Sequence, residues 1–297
     1  MNMSDYIIAT ASTCDIEASW LAEHGVPFIS YTFTIGETVY EDDCTPEIRN
    51  MCYAAMREGK MLQTSAIQPA TYEAFFREIL EKGCDLIYTD MSRAISSSIE
   101  HAEIAIEKLR GEFPSQRIHF IDSYSITGGL HLFVKKLVAL KEEGKRFDEV
   151  VEWGEAHKKE YIHRFMVEDL QWLRRGGRLS NASAFIGTLL SIKPMIYVTD
   201  EGTLFAWKKV RGRKKTVHEL VLSMQEDLSE ETPAEITVIS ADDREDCEAF
   251  VRLIKETYPQ FRDAEIPIMD LGPTICAHVG PDFLAVCYRG RERVISG

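Results

Sequence analysis

Short apolar runs alternate with amphipathic stretches through the first half of the chain, and this alternation constrains the fold more than any other feature. The runs are rich in β-branched and aromatic residues, as strands are, and between them apolar residues recur at helical spacing. Strands separated by helices form parallel βαβ units, so the pattern predicts an α/β fold: an open, mostly parallel sheet with flanking helices. The predicted strands cover 6–12, 27–35, 84–90 and 117–122, and the predicted helices 46–59, 72–83, 99–109 and 130–144.

The pattern changes near residue 160 of the 297. A helix from Asp148 ends near Tyr161, and Asp200-Glu201-Gly202 joins two strand-like runs as a hairpin. Helices beside hairpin-linked strands predict a C-terminal α+β domain, so we expect an N-terminal α/β domain over 1–160 and a second domain over 161–297. Further strands are predicted over 161–167, 235–240, 264–270 and 283–289, and further helices over 168–177, 181–190, 213–228 and 243–258.

Composition excludes several classes of partner and cellular location. The chain carries 34 basic and 48 acidic side chains, a net charge of −14, which argues against nucleic acid and anionic membrane surfaces as partners. The seven cysteines form no CxxC pair, so reduced thiols in a reducing compartment are expected. The first residues lack the basic stretch of a secretory signal, and no run reaches the 18 or more apolar residues of a membrane span. We expect a cytoplasmic protein without stable membrane insertion.

The usual catalytic and cofactor motifs are absent from the sequence: there is no phosphate-binding glycine loop, no GxSxG and no HExxH. The acidic segment 41–45, EDDCT, is interpreted as a solvated loop or as a cap for the helix that begins at Pro46, in preference to a metal site. Neither a metal nor a cofactor is therefore predicted.

Segments rich in hydroxyl side chains lie where predicted strands end and helices begin. In an open parallel sheet, ligands bind outside the carboxyl ends of the strands, and helix N-termini there offer free N–H groups to an anion. Hydroxyls beside them form an uncharged anion site, although Ser and Thr at such positions also serve as simple helix caps. The candidate ligand-binding residues are Thr64 and Ser65, Ser96 and Ser97, and Ser123.

Two later segments add candidates. His278 lies between two Gly-Pro pairs in residues 271–282, which predict a stiff loop that displays this histidine toward the serine cluster. Basic residues gather in RRGGR (174–178) and KKVRGRKK (208–215), which form either a solvated face or a docking surface for an acidic partner. Arg178 is interpreted as a helix cap. The candidate docking residues are Arg175, Arg211 and Lys214.

Taken in order, these segments resemble the DegV family of bacterial fatty-acid-binding proteins, which includes the FakB subunits of fatty acid kinase. The matching pieces span nearly the whole chain. They are Tyr40-Glu41-Asp42-Asp43, TSAIQP (64–69), SRAISSSIEHA (92–102), IDS with Gly128-Gly129, the Leu170/Leu173/Gly176-Gly177-Arg178-Leu179 signature, IKP (192–194), Arg211-Gly212 with its basic neighbours, and the loop 272–281.

The resemblance implies a fatty acid buried between two domains, its carboxylate held by Thr64 and Ser96 with His278 nearby. The chain departs from the family at Ser97-Ser98, where the family has Gly-Thr, and at Asp282. The expected function is non-catalytic: the protein would present a long-chain fatty acid to a separate ATP-dependent fatty acid kinase, which forms acyl phosphate for phospholipid synthesis.

Two alternatives stay open at this point. A serine acyl hydrolase would use Ser96 or Ser97 as nucleophile, His278 as base and Asp122 as the orienting acid. A lipid-sensing regulatory protein would need the same binding site.

Overall fold

The computed structural model describes residues 6–179, 192–228 and 235–293. The strands are β1 (Tyr6–Ala11), β2 (Phe28–Ile29), β3 (Thr32–Ile35), β4 (Thr38–Glu41), β5 (Leu62–Ser65), β6 (Asp85–Asp90), β7 (Ile118–Asp122), β8 (Tyr161–Met166), β9 (Ile192–Val198), β10 (Leu204–Arg211), β11 (Ile236–Ser240), β12 (Ile268–Asp270) and β13 (Leu284–Arg289). The helices are α1 (Ala18–Glu23), α2 (Pro46–Arg57), α3 (Pro69–Leu80), α4 (Ser98–Glu112), α5 (Thr127–Glu142), α6 (Phe147–His157), α7 (Gln171–Gly176), α8 (Arg213–Ser223), α9 (Arg244–Thr257) and α10 (Pro273–Val279).

The first sheet has the order β2-β1-β6-β7 with every pairing parallel, as the strand and helix alternation predicts. Thr45 caps α2 by accepting a hydrogen bond from the backbone N–H of Ile48, and Pro46 occupies the first helical position. The carboxyl ends of β1 and β6 meet at one edge of this sheet, which brings the segments after residues 11 and 90 together.

The predicted strand over 27–35 is divided in the structure. Phe28–Ile29 joins the parallel sheet, whereas Thr32–Ile35 joins a separate antiparallel sheet of order β4-β3-β5. Sequence periodicity did not predict β4 or β5, because both are only four residues long. The break between β2 and β3 buries Tyr31 beside the parallel sheet.

The last six strands form one sheet of order β10-β9-β8-β13-β11-β12, antiparallel except for β11 and β12. The predicted hairpin at 200–202 joins β9 and β10. The parallel sheet and this six-stranded sheet confirm the predicted fold class. The predicted helix at 181–190 lies outside the described residues. Of the described helices, none has both the length and the apolarity needed to cross a membrane.

Helix α5 packs between the two sheets, with contacts to β1 on one side and to β8, β11 and β13 on the other. The close approach requires Gly128 and Gly129. A Cβ at position 129 would lie 2.1 Å from Nε2 of His163 on β8, and one at position 128 would lie 2.2 Å from Cδ1 of Ile239 on β11. One apolar core therefore runs from the parallel sheet through α5 to the six-stranded sheet, and a separate core includes residues of the six-stranded sheet with α8 and α9.

The prediction of a stiff loop over 271–282 was wrong in its central part. Residues Pro273–Val279 form α10, which begins with Pro at its first position and ends at Gly280, whose positive φ of 87° favours glycine. The two Gly-Pro pairs thus delimit a short helix, and His278 lies in its last turn.

Candidate functional site

A small cavity of about 50 Å³ lies where β5, the start of α4, the segment after α7, and α10 meet. These four elements come from widely separated parts of the sequence. Its lining combines hydroxyls, one imidazole and one guanidinium with apolar side chains. The lining residues are Tyr31, Thr64, Ser65, Ala66, Met91, Ile95, Ser96, Ser97, Arg178, Thr274, Ile275 and His278.

Thr64 and His278 are in direct contact, with 2.8 Å between Oγ1 and Nε2. Burial and, to a smaller extent, the nearby Arg178 guanidinium lower the pKa of His278 to about 4, so the imidazole is neutral at neutral pH. When Nε2 carries the ring proton, it donates a hydrogen bond to Thr64 Oγ1, and the threonine hydroxyl is then free to donate a hydrogen bond to a ligand. The ring also needs Gly176, where a Cβ would lie 2.4 Å from Nδ1.

The serine-rich segment before α4 divides into two roles. Ser96 and Ser97 line the cavity, and Ser96 Oγ accepts a hydrogen bond from the N–H of Ser98 at 3.2 Å. Ser98 and Ser92 are buried and support the backbone: Ser98 Oγ accepts from the N–H of Ile67, and Ser92 Oγ accepts from that of Ala94. Two of the four serines therefore cap turns, and the other two face the cavity.

Below the cavity lies a buried carboxylate, Asp90, which sequence reasoning missed. Its oxygens accept hydrogen bonds from the hydroxyls of Tyr31, Tyr72 and Tyr88 at 2.8–3.2 Å, and from Thr13 and the N–H of Met91. Burial raises the pKa of this carboxyl, and these donors oppose the rise. The Tyr31 hydroxyl also lies 3.5 Å from Ser96 Oγ, so it links Asp90 to the cavity.

Arg178, interpreted from sequence as a helix cap, does bond the carbonyl of Gly176 at the end of α7, and it also donates to the carbonyl of Ile95 at 3.3 Å. The structure adds that its guanidinium lines the cavity. The site is therefore not the purely uncharged one that the hydroxyl segments predict. The two adjacent glycines of the signature, which allow α7 to end beside His278, could have drawn attention to this arginine.

Ser123 is not among the lining residues. Its side chain is buried, and its hydroxyl donates to the backbone carbonyl of Asp90 at 2.7 Å. Asp122 accepts a hydrogen bond from Nε of Arg93 at 2.7 Å and has no hydrogen bond to His278 among the described residues. Among the described residues, the Ser–His–Asp arrangement of a hydrolase is not assembled, and His278 contacts Thr64 instead of a serine.

The acidic segment 41–45 is not wholly solvated, contrary to the sequence interpretation. Asp42 is buried and accepts hydrogen bonds from the hydroxyl and the N–H of Thr274. Asp43 is exposed, and its Oδ1 accepts hydrogen bonds from the N–H and the hydroxyl of Thr45. The described residues contain no group of three or more His, Cys, Asp or Glu side chains that could hold a metal ion.

The basic residues also divide into two groups. Lys193, Lys208 and Arg213 form ion pairs with neighbouring acids. Arg175, Arg211 and Lys214 are exposed, and none of the three forms an ion pair within the part of the chain that the structure describes.

Both basic segments border residues 280–282, directly after α10. Arg175 lies 6.0 Å from the ring of Trp172, and that ring packs so closely on Gly280 that a Cβ there would lie 2.6 Å from it. Arg213 donates to the carbonyl of Asp282 at 3.0 Å. Arg175 and Arg213 thus lie near the segment that follows His278, and the exposed Arg211 precedes Arg213 by two residues.

Comparison with known proteins gives concordant results. A family model described as "Uncharacterised protein, DegV family" matches residues 6–291. A DegV domain-containing protein of Clostridium perfringens (strain 13 / Type A) is 32% identical over 289 residues, which cover 97% of this chain and 98% of that protein.

Two solved structures have the same fold. A stearic acid-binding protein from Eubacterium ventriosum superposes with a TM-score of 0.85 at 24% identity, over 96% of this chain and 98% of its own. A DegV family protein from Thermus thermophilus, described by its fatty acid binding, superposes with a TM-score of 0.83 at 25% identity, over 96% of this chain and 99% of its own.

Proposed function

The chain belongs to the DegV family, and from this premise we propose that it binds a long-chain fatty acid and presents the carboxylate to a separate ATP-dependent fatty acid kinase. The observation that carries the proposal is the contact between Thr64 and His278, with Ser96 and Arg178 lining the same cavity. Hydroxyls, a neutral imidazole and one guanidinium are donors suited to a single carboxylate. The solved relatives named above are described as fatty acid binders.

The acyl chain supplies most of the affinity. Each buried methylene contributes about 0.8 kcal/mol, so a long chain needs no strong polar anchor. A cavity of about 50 Å³ accommodates a head group only. Met91, Ile95 and Ile275 form its apolar side, and we place the start of the chain against them, with these side chains moving apart as the ligand enters.

The head group stays accessible to a second protein. Ser65 and Ser97 line the cavity and are exposed, so a carboxylate between them lies near the surface. Acyl-phosphate formation requires this exposure, since the kinase must bring ATP to the carboxylate. Such a product would feed phospholipid synthesis.

The first prediction concerns the cargo. Protein purified from a bacterial host is expected to carry a long-chain fatty acid at close to one molecule per chain, because burial of the chain makes dissociation unfavourable. The measurement is mass spectrometry of the extracted lipid together with its molar ratio to protein. Recovery of only a nucleotide or a sugar phosphate would refute the proposed function.

The second prediction concerns the partner. Reversal of Arg175 and Arg211 to Glu is expected to lower acyl-phosphate formation by the kinase and to leave fatty-acid affinity unchanged. Charges at the rim of an interface act mainly on the association rate, so the defect should be largest at low ionic strength.

The matched control for this experiment reverses Arg252 on α9 and Arg262 shortly after that helix, both of which are exposed. That variant has the same change in net charge and should retain wild-type turnover. Full activity of the Arg175→Glu/Arg211→Glu variant at low salt would show that this face does not dock the kinase.

A further inference from the structure

Two buried carboxylates converge on the start of the helix that carries His278. Asp15 is 2% exposed and Asp42 is 1% exposed. Oδ2 of Asp42 accepts the Thr274 hydroxyl at 2.6 Å, and Oδ2 of Asp15 accepts the hydroxyl of Thr127 on α5. A Cβ on Gly272 would lie 2.2 Å from Oδ1 of Asp15 and 3.5 Å from Oδ2 of Asp42. We call these two residues the Asp15–Asp42 pair.

The positive charge that acts on the pair is that of Arg49, which makes no direct hydrogen bond to either carboxylate. Arg49 on α2 is buried, but its guanidinium binds Glu17 and the backbone carbonyl of Asp15 and neither carboxylate of the pair. Oδ1 of Asp15 and Oδ1 of Asp42 have no hydrogen-bond partner among the described residues. The other titratable groups facing the pair are Cys14, Cys44, Cys52 and Tyr53, His131 from α5, Cys276 from α10 and Cys287 from β13.

These neighbours stay neutral near pH 7, and the pair does not stay fully ionised. Burial raises the pKa values of the cysteines and of Tyr53 and lowers that of His131. Burial raises the pKa of Asp15 to about 7, with Arg49 opposing the rise, and raises that of Asp42 as well. Two such coupled carboxyls share their protons as a unit in the neutral range.

Thr274 connects the pair to the cavity. It lines the cavity and donates its hydroxyl to Asp42, and His278 follows one helical turn later on the same face of α10. A ligand carboxylate in the cavity and the carboxylate of Asp42 would thus lie on opposite sides of one threonine. Two anions so placed in a dry interior repel each other.

Resting on the proposed function, we propose that Asp15 and Asp42 are positioning residues which hold Thr274 and His278 in place, and that the pair takes up one proton from solvent when a fatty-acid carboxylate binds. The proton removes the repulsion between the two anions. It also reverses a hydrogen bond: protonated Asp42 donates to Thr274 Oγ1, and the threonine hydroxyl then donates to the ligand.

The test is titration calorimetry of the lipid-free full chain with myristate at pH 7, in two buffers of different ionisation enthalpy. Myristate is chosen because the carboxyl of a dissolved fatty acid is already ionised at about pH 6 and above, so the ligand itself brings no proton. Because the free pair is already partly protonated at pH 7, we expect a net uptake of roughly half a proton per ligand at this pH, and binding about three- to tenfold tighter at pH 6.5 than at pH 8. No uptake by the wild-type chain would overturn the inference.

Variants test whether the Asp15–Asp42 pair, and no other titratable group, takes up the proton. Asp15→Asn and Asp42→Asn are each expected to abolish the uptake and to flatten the pH profile. Asp43→Asn, which removes a neighbouring exposed carboxylate, should keep the wild-type profile. A wild-type profile in both pair variants would overturn the inference, and the wild-type measurement decides the matter if neither variant folds.

The outcome also distinguishes this inference from the function on which it rests. Myristate binding without proton uptake leaves the proposed function intact and refutes only the role of the pair. Failure of the folded wild-type chain to bind myristate or any longer fatty acid refutes both.

Discussion

Replacement of Thr64 by Val, or of Ser96 by Ala, is expected to weaken fatty-acid binding about 10- to 150-fold. Each change deletes a hydroxyl at the wall of the cavity, and a hydrogen bond to a charged group is worth about 1.5–3 kcal/mol. Thr64→Val nearly conserves the side-chain volume and also frees His278 from its partner at 2.8 Å. The measurement is displacement of a fluorescent fatty acid from the lipid-free protein.

Thr34→Val provides the matched control. Thr34 lies on β3, which pairs with β5, but it stands opposite Gln63 and so points to the other face of this sheet from Thr64. It should bind with wild-type affinity. Unchanged affinity in both Thr64→Val and Ser96→Ala would refute the placement of the head group in this cavity.

Replacement of Arg293 by Met is expected to lower the free energy of unfolding by about 3–5 kcal/mol. The side chain is 4% exposed. Its guanidinium nitrogens donate to four carbonyls at 2.8–3.4 Å, those of Lys159, Val198, Thr199 and Tyr124. It thereby joins the end of β9, the segment before β8 and the turn after β7. Without it, all four carbonyls lose their side-chain donor, and those of Lys159 and Thr199 keep only the backbone N–H groups of residue 293 and Gly202.

Burial lowers the pKa of Arg293 to about 10, which still leaves the side chain charged at neutral pH. The measurement is equilibrium unfolding in urea. Arg291→Met serves as control, because Arg291 is exposed and donates to the single carbonyl of Leu228. Equal stability of the Arg293→Met variant and this control would contradict the assigned role.

Local patterns in the sequence were sufficient where the structure depends on neighbours along the chain. The parallel strands, the cap at Thr45 and the hairpin at 200–202 each follow from a few consecutive residues. Thr64 and His278 are 214 positions apart, and only the resemblance to a known family placed them together.

Other features were not predictable because they depend on tertiary contacts. Tyr31 reaches Asp90 only because the chain breaks between β2 and β3 and enters a different sheet. Asp42 looks like its exposed neighbours Glu41 and Asp43, and its burial follows from Thr274 at the far end of the chain. The Gly272-Pro273 pair was interpreted as part of a loop, although Pro is equally suited to the first position of a helix.

The position of α5 between the two sheets bears on how a bound lipid leaves. Leu130, Phe133, Val134 and Leu137 of this helix are fully buried, and moving the sheets apart as rigid bodies would expose part of that core to water. Release would therefore proceed through local fluctuations around the cavity, which are rarer than free loop motion. Slow release of this kind gives a long residence time, so the cargo would be handed over mainly in encounters with a partner and seldom lost to solvent.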